Sequence, residues 1–236
     1  MLEVRGLKAR RGHFNLTLDK LHLKANSINL VLGPNGGGKT TLLRSLAGLI
    51  PHSGEIILDG KTVQRVSFKE HAKIFGYLSQ GVLLSELIVK DFLILGRFPY
   101  TGMISKYSIT DWDKVYDTAM IFGLEEYLCR DISTLSQGEF QRVLLAKVFI
   151  QQPRILLLDE PTTALDIGFK DLVKKQIYKY LEIKPEATVL ISTHEPDVFI
   201  NQVDQVLMLK HGEVFNSGQK SEVYNTDNIK RLFNLS

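Results

Sequence analysis

The segment Gly33-Pro34-Asn35-Gly36-Gly37-Gly38-Lys39-Thr40 matches the pattern G-x-x-x-x-G-K-[ST] and decides the fold. It follows an apolar run at 28–32 that has the length of a buried strand, and it precedes a segment at 40–49 whose leucines recur at helical spacing. Glycines allow successive backbone N–H groups to turn inward around an anion, and the start of a helix adds unpaired N–H groups. The sequence therefore predicts a phosphate-binding loop between a strand and a helix.

The residues that end this loop suit a nucleoside triphosphate. Lys39 is expected to reach the β- and γ-phosphates, and the Thr40 hydroxyl is expected to bind Mg²⁺. Thr41 follows in the first turn of the predicted helix and belongs to the same binding segment. Taken alone, the loop indicates ATP or GTP.

A pair of acids follows another buried strand. Residues 155–158 are Ile-Leu-Leu-Leu, and Asp159 and Glu160 come directly after them. A buried strand that ends in acids presents them at the carboxyl edge of its sheet, where ligands bind. Asp159 suits a role toward Mg²⁺, directly or through water, and Glu160 is placed to polarise the attacking water. The alternative is an ordinary acidic turn.

Two strand patterns are present. The segment 14–18 alternates apolar and polar residues, as in a half-buried antiparallel strand, and further short strands are predicted at 2–4, 21–23 and 28–32. By contrast, the apolar runs at 74–78, 155–158 and 188–192 are continuous, which is typical of a parallel sheet covered on both faces. Asp59-Gly60 and His211-Gly212 are turn pairs that predict hairpins at 54–66 and 206–215.

These patterns predict an α/β fold of the P-loop NTPase type. The expected core is a mostly parallel sheet flanked by helices, with an N-terminal antiparallel β part. From about residue 83 to 152 the spacing of apolar residues becomes helical. In the helix predicted at 110–123, the residues at helical spacing are Trp112, Val115, Tyr116, Ala119 and Met120. The predicted single domain, 1–236, is thus a core formed by 1–82 and 153–236 with an inserted α-helical subdomain at 83–152.

Composition adds three expectations. The 236 residues are 44% hydrophobic with a net charge of +3, and the basic residues are not clustered, so no nucleic-acid partner is predicted. The lone Cys129 cannot form an internal disulfide. No apolar run approaches the roughly 18 residues that span a bilayer, and the N-terminus does not resemble a signal peptide. Any work on a membrane is therefore expected to pass through a partner.

Four further motifs, in sequence order with the loop and the acids, resemble the ABC transporter ATPase family. Leu135-Ser136-Gln137-Gly138-Glu139 looks like its signature motif, and Ala164-Leu165-Asp166 resembles its loop across the dimer interface. Gln80 falls where the family has a glutamine that contacts Mg²⁺ and water, and His194 matches a histidine that contacts the γ-phosphate. The resemblance covers essentially the whole chain.

The resemblance implies a Mg²⁺-dependent ATPase that works as a head-to-tail homodimer. Two ATP molecules would lie between the chains, each held by the phosphate loop of one chain and by Ser136, Gln137, Gly138 and Asp166 of the other. The implied catalytic residues are Glu160, His194 and Gln80, and the implied metal-binding residues are Thr40, Gln80 and Asp159.

The chain departs from the family pattern at two places. Gln137 stands in the signature where glycine is commoner, while Ser136 and Gly138 are intact. The family usually stacks an aromatic residue on adenine 25–30 residues before the lysine, but this segment lacks the usual tyrosine. Phe14, His13 or a stacked arginine are the candidates for that contact.

Weaker similarities point to importers. Leu95-Gly96-Arg97-Phe98-Pro99-Tyr100, Ser221-Glu222-Val223-Tyr224 and the segment 228–234 resemble the ATPases that import iron-siderophores, haem and vitamin B12. The resemblance implies polytopic membrane permease subunits, a substrate-binding protein and a peripheral location on the cytoplasmic side of the cell membrane. The apolar residues at 83, 84 and 87–89 either dock a membrane partner or pack internally. A soluble ABC ATPase of an assembly system, such as iron–sulfur cluster biogenesis, is the alternative.

Overall fold

The computed structural model describes residues 1–79, 86–101 and 106–235. In these ranges the chain forms two sheets, one antiparallel and one mostly parallel. The strands are β1 Leu2–Arg11, β2 Phe14–Leu23, β3 Ser27–Leu32, β4 His52–Leu58, β5 Lys61–Thr62, β6 Phe75–Leu78, β7 Ile155–Asp159, β8 Thr188–Ser192, β9 Gln205–Lys210 and β10 Glu213–Gln219.

Helices cover the larger sheet. They are α1 Lys39–Leu46, α2 Phe68–Ile74, α3 Val89–Ile94, α4 Ile109–Ile121, α5 Gln137–Gln151, α6 Ile167–Ile183, α7 Lys220–Val223 and α8 Thr226–Phe233. A 3₁₀ helix, Leu95–Tyr100, continues directly from α3. Among the described residues, no helix combines the length and the apolar character needed to cross a membrane.

The larger sheet has the order β10-β9-β3-β8-β7-β6, and its strands are parallel except for β10. Both of its faces are apolar. On β7, Leu156 and Leu158 pack with α5 and α6, while Ile155 and Leu157 pack with α1 and the antiparallel sheet. The predicted α/β architecture, a mostly parallel sheet covered on both faces, is therefore confirmed.

The smaller sheet has the order β2-β1-β4-β5 and corrects two strand predictions. The segments predicted as separate strands at 14–18 and 21–23 form one strand, β2, because its pairing with β1 resumes beyond Asp19. The strand predicted at 2–4 continues as β1 to Arg11. Cross-strand hydrogen bonding thus continues β1 and β2 through polar residues at which the local sequence pattern predicts a strand end.

One helix of the core was missed. α2 lies between the predicted hairpin and β6, with none of its residues buried, so it has no apolar stripe to reveal it. Ser67 caps it by accepting a hydrogen bond from the N–H of Glu70 at 3.3 Å. The described part of 83–152 contains α3, α4 and α5, and the predicted subdomain boundary at 82 lies outside the described residues.

Parallel strand order brings the predicted site residues to one edge. Asp159 at the end of β7 is in register with Ser192 at the end of β8, and Ser192 is in register with Val31 near the end of β3. The phosphate loop, Glu160 and His194 each follow one of these three strands. They consequently meet at the carboxyl edge of the sheet.

Candidate nucleotide site

A cleft of about 630 Å³ opens at this edge. It joins the phosphate loop, the segment after β7, the segment after β8 and the end of the β1–β2 hairpin. Its lining residues are Arg11, Phe14, Asn35, Gly36, Gly37, Gly38, Lys39, Thr40, Thr41, Arg44, Glu160 and His194. The structure thus brings the predicted loop together with two of the three predicted catalytic side chains.

Two glycines of the loop are required by its geometry. A Cβ on Gly33 would lie 2.1 Å from the carbonyl oxygen of Leu209 on β9, so only glycine allows this approach. Gly38 caps α1 with a φ of 111°, and a Cβ there would lie 3.2 Å from Phe14 Cζ. The loop is therefore packed tightly between β9 and the β1–β2 hairpin, with the N-terminus of α1 at the cleft.

Lys39 is buried beneath the loop that it is predicted to serve. Its ammonium donates hydrogen bonds to the carbonyl oxygens of Gly33 at 2.7 Å and Pro34 at 3.2 Å. Burial lowers the pKa of Lys39, while the negative charges of Glu160 and Asp159 act to raise it. The side chain is thus a desolvated cation surrounded by acceptors, and such a cation attracts an anion strongly.

Glu160 and His194 lie in direct contact in the cleft. The Nε2 atom of His194 is 2.6 Å from Oε1 of Glu160. Glu160 has a φ of 51°, an uncommon value for a residue with a side chain, and its N–H donates to the Ser192 carbonyl at 2.9 Å. The backbone holds this carboxylate in a strained conformation over the cleft, which is often seen at functional sites.

Asp159 is not a lining residue and is only 1% exposed. Ser192 Oγ donates to its Oδ1, and Tyr77 Oη donates to its Oδ2 at 3.1 Å. Arg44 Nε in turn donates to Tyr77 Oη at 3.2 Å. Burial raises the pKa of Tyr77 to about 12, so its phenol keeps the proton that it donates. Two hydroxyl groups consequently hold the carboxylate in one orientation.

The signature residues lie outside the chain's own cleft. Ser136 caps α5, with its Oγ accepting from the N–H of Glu139 at 3.3 Å, while the Glu139 carboxylate accepts from the N–H of Ser136 at 2.7 Å. Ser136 and Gln137 are exposed, and Gly138 is half-buried. The first residues of α5 are therefore exposed, although the N–H groups of Ser136 and Glu139 are bound within the capping box.

Asp166 also lies away from the cleft lining. It caps α6 by accepting from the N–H of Phe169 at 2.9 Å, and it lies 3.6 Å from Arg142 of α5. Gln141 donates to the carbonyl oxygen of Pro161 at 3.3 Å. The signature helix and the loop after Glu160 are therefore fastened to each other within one chain.

Three residues that line the cleft have no definite role in the sequence analysis. Phe14, a candidate for the base contact, lines the cleft, whereas His13, the other named candidate, does not. Arg11 also lines it and is one of the two arginines of that segment. Arg44 was missed, although its position four residues after Thr40 places it on the same face of α1. Gln80, predicted to be catalytic and to bind metal, lies outside the described residues.

The arrangement suits a triphosphate with a divalent cation. The loop supplies backbone N–H groups and the buried ammonium of Lys39, and Glu160 lines the same cleft. Thr40 lines the cleft and offers a hard oxygen ligand of the kind that Mg²⁺ prefers, while the buried Asp159 carboxylate suits a contact through water. A cation that keeps several waters and phosphate oxygens needs few protein ligands. The residues present therefore fit Mg²⁺.

Comparisons with known proteins identify the family to which the chain is similar. The family model for ABC transporters matches residues 16–163. The vitamin B12 import ATP-binding protein of Yersinia pseudotuberculosis is 35% identical over 212 residues, which cover 87% of this chain and 81% of that protein. The phosphonates import ATP-binding protein of Hydrogenovibrio crunogenus is 32% identical over 222 residues, which cover 91% and 81%.

Among solved structures, a chain of a transporter described as metal-chelate type, in an inward-facing conformation, superposes with a TM-score of 0.81. It is 25% identical, and the match covers 99% of this chain and 88% of that one. The similarity therefore extends through both sheets and the helical region.

Proposed function

This chain belongs to the ABC transporter family and is one of its ATP-binding ATPases, and we propose that it powers the import of a metal chelate. The proposed partners are polytopic permease subunits in the membrane and a substrate-binding protein. The proposed location is the cytoplasmic side of the cell membrane. The observation that carries the proposal of a membrane partner is an exposed apolar surface beside the nucleotide-binding core.

That surface consists of Phe68 on α2 together with Leu95 and Phe98 of the 3₁₀ helix, and is called the apolar surface below. Phe68 is 80% exposed and Phe98 is 46% exposed. Helix α2 and the 3₁₀ helix lie side by side. Lys69 of α2 donates to the Thr101 carbonyl, and its ammonium lies 5.1 Å from the centre of the Phe98 ring. Large apolar side chains that remain in water on adjacent elements favour a protein partner.

The segment 95–100 is built to present this surface. Arg97 is buried and donates to Asp111 at 2.8 Å and to the Ile150 carbonyl at 3.1 Å. Its guanidinium also stacks on Tyr100, 4.0 Å from the ring centre. Arg97 thus ties the 3₁₀ helix to α4 and α5 and leaves Phe98 facing solvent.

We propose that the active form is a homodimer. Ser136, Gln137, Gly138 and Asp166 do not line the cleft of their own chain, and the N-terminus of α5 faces solvent. A helix N-terminus with free N–H groups can bind phosphate. A second copy would place these residues over the nucleotide, which completes a site that one chain leaves open.

Within the closed site, each residue has a proposed role. The phosphate loop holds the triphosphate, and Lys39 moves its hydrogen bonds from loop carbonyls to phosphate oxygens. Glu160 orients and deprotonates the attacking water, while His194 holds the γ-phosphate; Gln80 is proposed to sense that group. Thr40 and Asp159 would hold Mg²⁺, which would supply positive charge beside the phosphate oxygens.

The substrate class rests on similarity. The chain resembles a vitamin B12 importer ATPase and a chain of a metal-chelate type transporter, and vitamin B12 is itself chelated cobalt. A phosphonate importer ATPase is almost as similar. We propose iron-siderophore, haem or cobalamin as the class and treat phosphonate as the competing outcome of the experiment below.

The experiment is a capture of tagged protein carrying Glu160→Gln from detergent-solubilised native membranes in the presence of ATP. We expect recovery of a polytopic membrane protein, identified by mass spectrometry. Phe68→Ser combined with Phe98→Ser should abolish that recovery, because the apolar surface would no longer be buried on binding. The reconstituted complex should then transport a metal chelate in vesicles.

Ile183→Ser is the matched control, since Ile183 is a large apolar residue at the end of α6 that is 68% exposed and lies outside the apolar surface. It should leave the capture unchanged. Recovery of soluble partners alone would contradict the transporter proposal and support the assembly ATPase. Transport of phosphonate but not of chelates would contradict the substrate class.

A second prediction concerns the phenol beside Asp159. Tyr77→Phe keeps the ring but removes the donor to Asp159 Oδ2, and it also removes the acceptor of the Arg44 Nε–H. Loss of a partner that orients a metal ligand typically weakens metal affinity about 10- to 100-fold. We expect the Mg²⁺ concentration for half-maximal ATP hydrolysis to rise by about tenfold or more.

Tyr178→Phe serves as the control, because Tyr178 lies on α6 and does not contact the site. Its Mg²⁺ titration should overlay that of the unchanged protein. The same comparison should be made by measuring how Mg²⁺ strengthens ATP binding, which does not depend on turnover. An unchanged Mg²⁺ requirement in Tyr77→Phe would contradict the role proposed for the phenol.

A further inference from the structure

Helix α4 carries an exposed apolar stripe that belongs neither to the nucleotide cleft nor to the apolar surface. It is called the α4 stripe below and consists of Ile109, Trp112, Tyr116 and Met120. Intervals of three and four residues place these side chains on one side of the helix. The buried side is formed by Val115 and Ala119 instead. Ile109 is 81% exposed and Met120 is 64% exposed, so the α4 stripe lies at the molecular surface.

Trp112 gives the α4 stripe a rigid centre. Its ring stacks on Tyr116, with 6.1 Å between the ring centres, and it meets Tyr107 edge-on at 6.5 Å. Tyr107 and Trp112 also pack against the core, so these rings are held before any partner binds. Tyr116 remains 47% exposed. Aromatic residues and methionine are enriched in protein interfaces, and rings that are already held lose little entropy on binding.

Two carboxylates lie along one edge of the α4 stripe. Asp113 and Asp117 are one helical turn apart, and both are exposed. Among the described residues neither forms an ion pair, whereas Asp111, the third acid of the helix, pairs with an arginine of the 3₁₀ helix. The lysine of α4, Lys114, donates to Gln152 at 3.2 Å and does not face these acids. The α4 stripe is therefore apolar with an acidic border.

We propose that the α4 stripe docks an amphipathic helix of a partner protein, and that lysine or arginine borders the apolar face of that helix. From Ile109 to Met120 the stripe rises about 17 Å, so a partner helix of about three turns covers it. Apolar residues at i, i+3, i+4 and i+7 of the partner supply the anchors. Basic residues at its border pair with Asp113 and Asp117, which fixes the direction and register of the bound helix.

Charge decides against two other occupants. A second copy of this chain would bring the same two acids to the contact, so like charges would meet. An anionic membrane surface would repel Asp113 and Asp117, whereas helices that lie on membranes carry lysine and arginine on their polar face. A basic amphipathic helix complements both the apolar residues and the carboxylates.

The test uses the one tryptophan of the chain, Trp112, whose fluorescence reports directly on the α4 stripe. The probe is a synthetic helical peptide of about 14 residues that contains only leucine and lysine, with the leucines on one face. We expect saturable binding by calorimetry and a shift of the Trp112 emission to shorter wavelength. A peptide with glutamate in place of lysine should bind about tenfold more weakly or less, because its charges meet Asp113 and Asp117.

Tyr116→Ser combined with Met120→Ser tests the apolar part of the contact. It removes apolar area from the α4 stripe and should weaken binding of the leucine–lysine peptide by about tenfold or more. ATP hydrolysis and the unfolding midpoint should stay close to those of the unchanged protein, because neither residue lines the cleft or is buried. Ile183→Ser, which changes an exposed apolar residue of α6, should leave peptide binding unchanged.

Asp113→Lys combined with Asp117→Lys tests the charge. It should reverse the preference, so that the glutamate peptide binds more tightly than the lysine peptide. Asp19→Lys combined with Glu182→Lys is the matched control, because both residues are exposed on other elements and the change in net charge is the same. This control should keep the preference for the lysine peptide.

Several outcomes would overturn the proposal. Absence of binding, equal binding of the two peptides, or full binding in the variant with both serines would show that the α4 stripe does not dock a basic helix. Binding of the unchanged chain to phosphatidylcholine vesicles, lost in that variant, would identify a membrane contact instead. A dimer that forms without nucleotide and dissociates in that variant would identify a contact between two copies of this chain.

Discussion

Glu160→Gln is expected to lower ATP hydrolysis by about 10²-fold or more while nucleotide binding is retained or strengthened. Glutamine keeps the size of the side chain and a polar contact to His194, which now lies 2.6 Å from the carboxylate. It cannot accept a proton from the attacking water, and loss of a general base typically costs 10²- to 10⁴-fold in rate. Removal of one negative charge beside the triphosphate also reduces repulsion.

Two measurements check this expectation. Steady-state phosphate release should show the loss of rate, and size-exclusion chromatography with ATP should show a dimer that persists because the nucleotide between the chains is not hydrolysed. Glu195→Gln is the control. Glu195 follows His194 directly, but it pairs with Lys170 at 2.7 Å and does not line the cleft. It should retain hydrolysis within a few-fold.

Retained turnover in Glu160→Gln would remove Glu160 from the role of base. A rate loss without a persistent dimer would keep that role but contradict the proposal that two copies close over the nucleotide. Adding Ser136→Ala tests the same point independently. It removes the capping hydroxyl of α5 at a typical cost of about 1 kcal/mol and should weaken the trapped dimer without weakening ATP binding to one chain.

The phosphate loop and the strand-end acids were predictable because their signal is local. A few consecutive residues are enough to predict a buried strand, a turn or the start of a helix. Parallel strands bring their carboxyl ends to one edge of the sheet, whatever the connections between them. The loop, Glu160 and His194 accordingly line one cleft as the strand order requires. The continuous apolar runs also identified a sheet that is covered on both faces.

The support of Asp159 was not predictable in the same way. Tyr77 stands 82 residues before it on β6, and Ser192 stands 33 residues after it on β8. Only the strand order β8-β7-β6 makes them neighbours, and nothing local to either residue signals a partner. The same holds for Arg11, whose place in the cleft depends on how the smaller sheet packs on the larger one.

The site assignments for Ser136, Gln137, Gly138 and Asp166 stay predictions for a different reason. Their proposed ligand is the nucleotide of a second chain, and in one chain they cap helices or face solvent. Local structure explains Ser136 and Asp166 fully as helix caps, so their proposed second role is visible only through the resemblance. The experiments on the trapped dimer therefore decide them.

Lys39→Ala is expected to weaken ATP binding itself by about 10²-fold or more, in contrast to Glu160→Gln. In the structure the ammonium is buried and donates to two loop carbonyls, which are weaker acceptors than phosphate oxygens. Hydrogen bonds to charged groups contribute about 1.5–3 kcal/mol each, and the γ-phosphate brings a full charge to a desolvated cation. Alanine removes both contributions.

Calorimetry with ATP measures the loss, and the same titration of Lys8→Ala provides the control, since Lys8 is an exposed lysine of β1 that does not line the cleft. Thermal unfolding distinguishes lost binding from lost fold. Burial lowers the pKa of Lys39, so keeping its ammonium charged in the folded chain decreases the free energy of unfolding. Replacing Lys39 with alanine should therefore leave the unfolding midpoint close to that of the unchanged protein. A folded Lys39→Ala variant that binds ATP normally would place the triphosphate outside the loop, because a triphosphate held by the loop cannot avoid the ammonium beneath it.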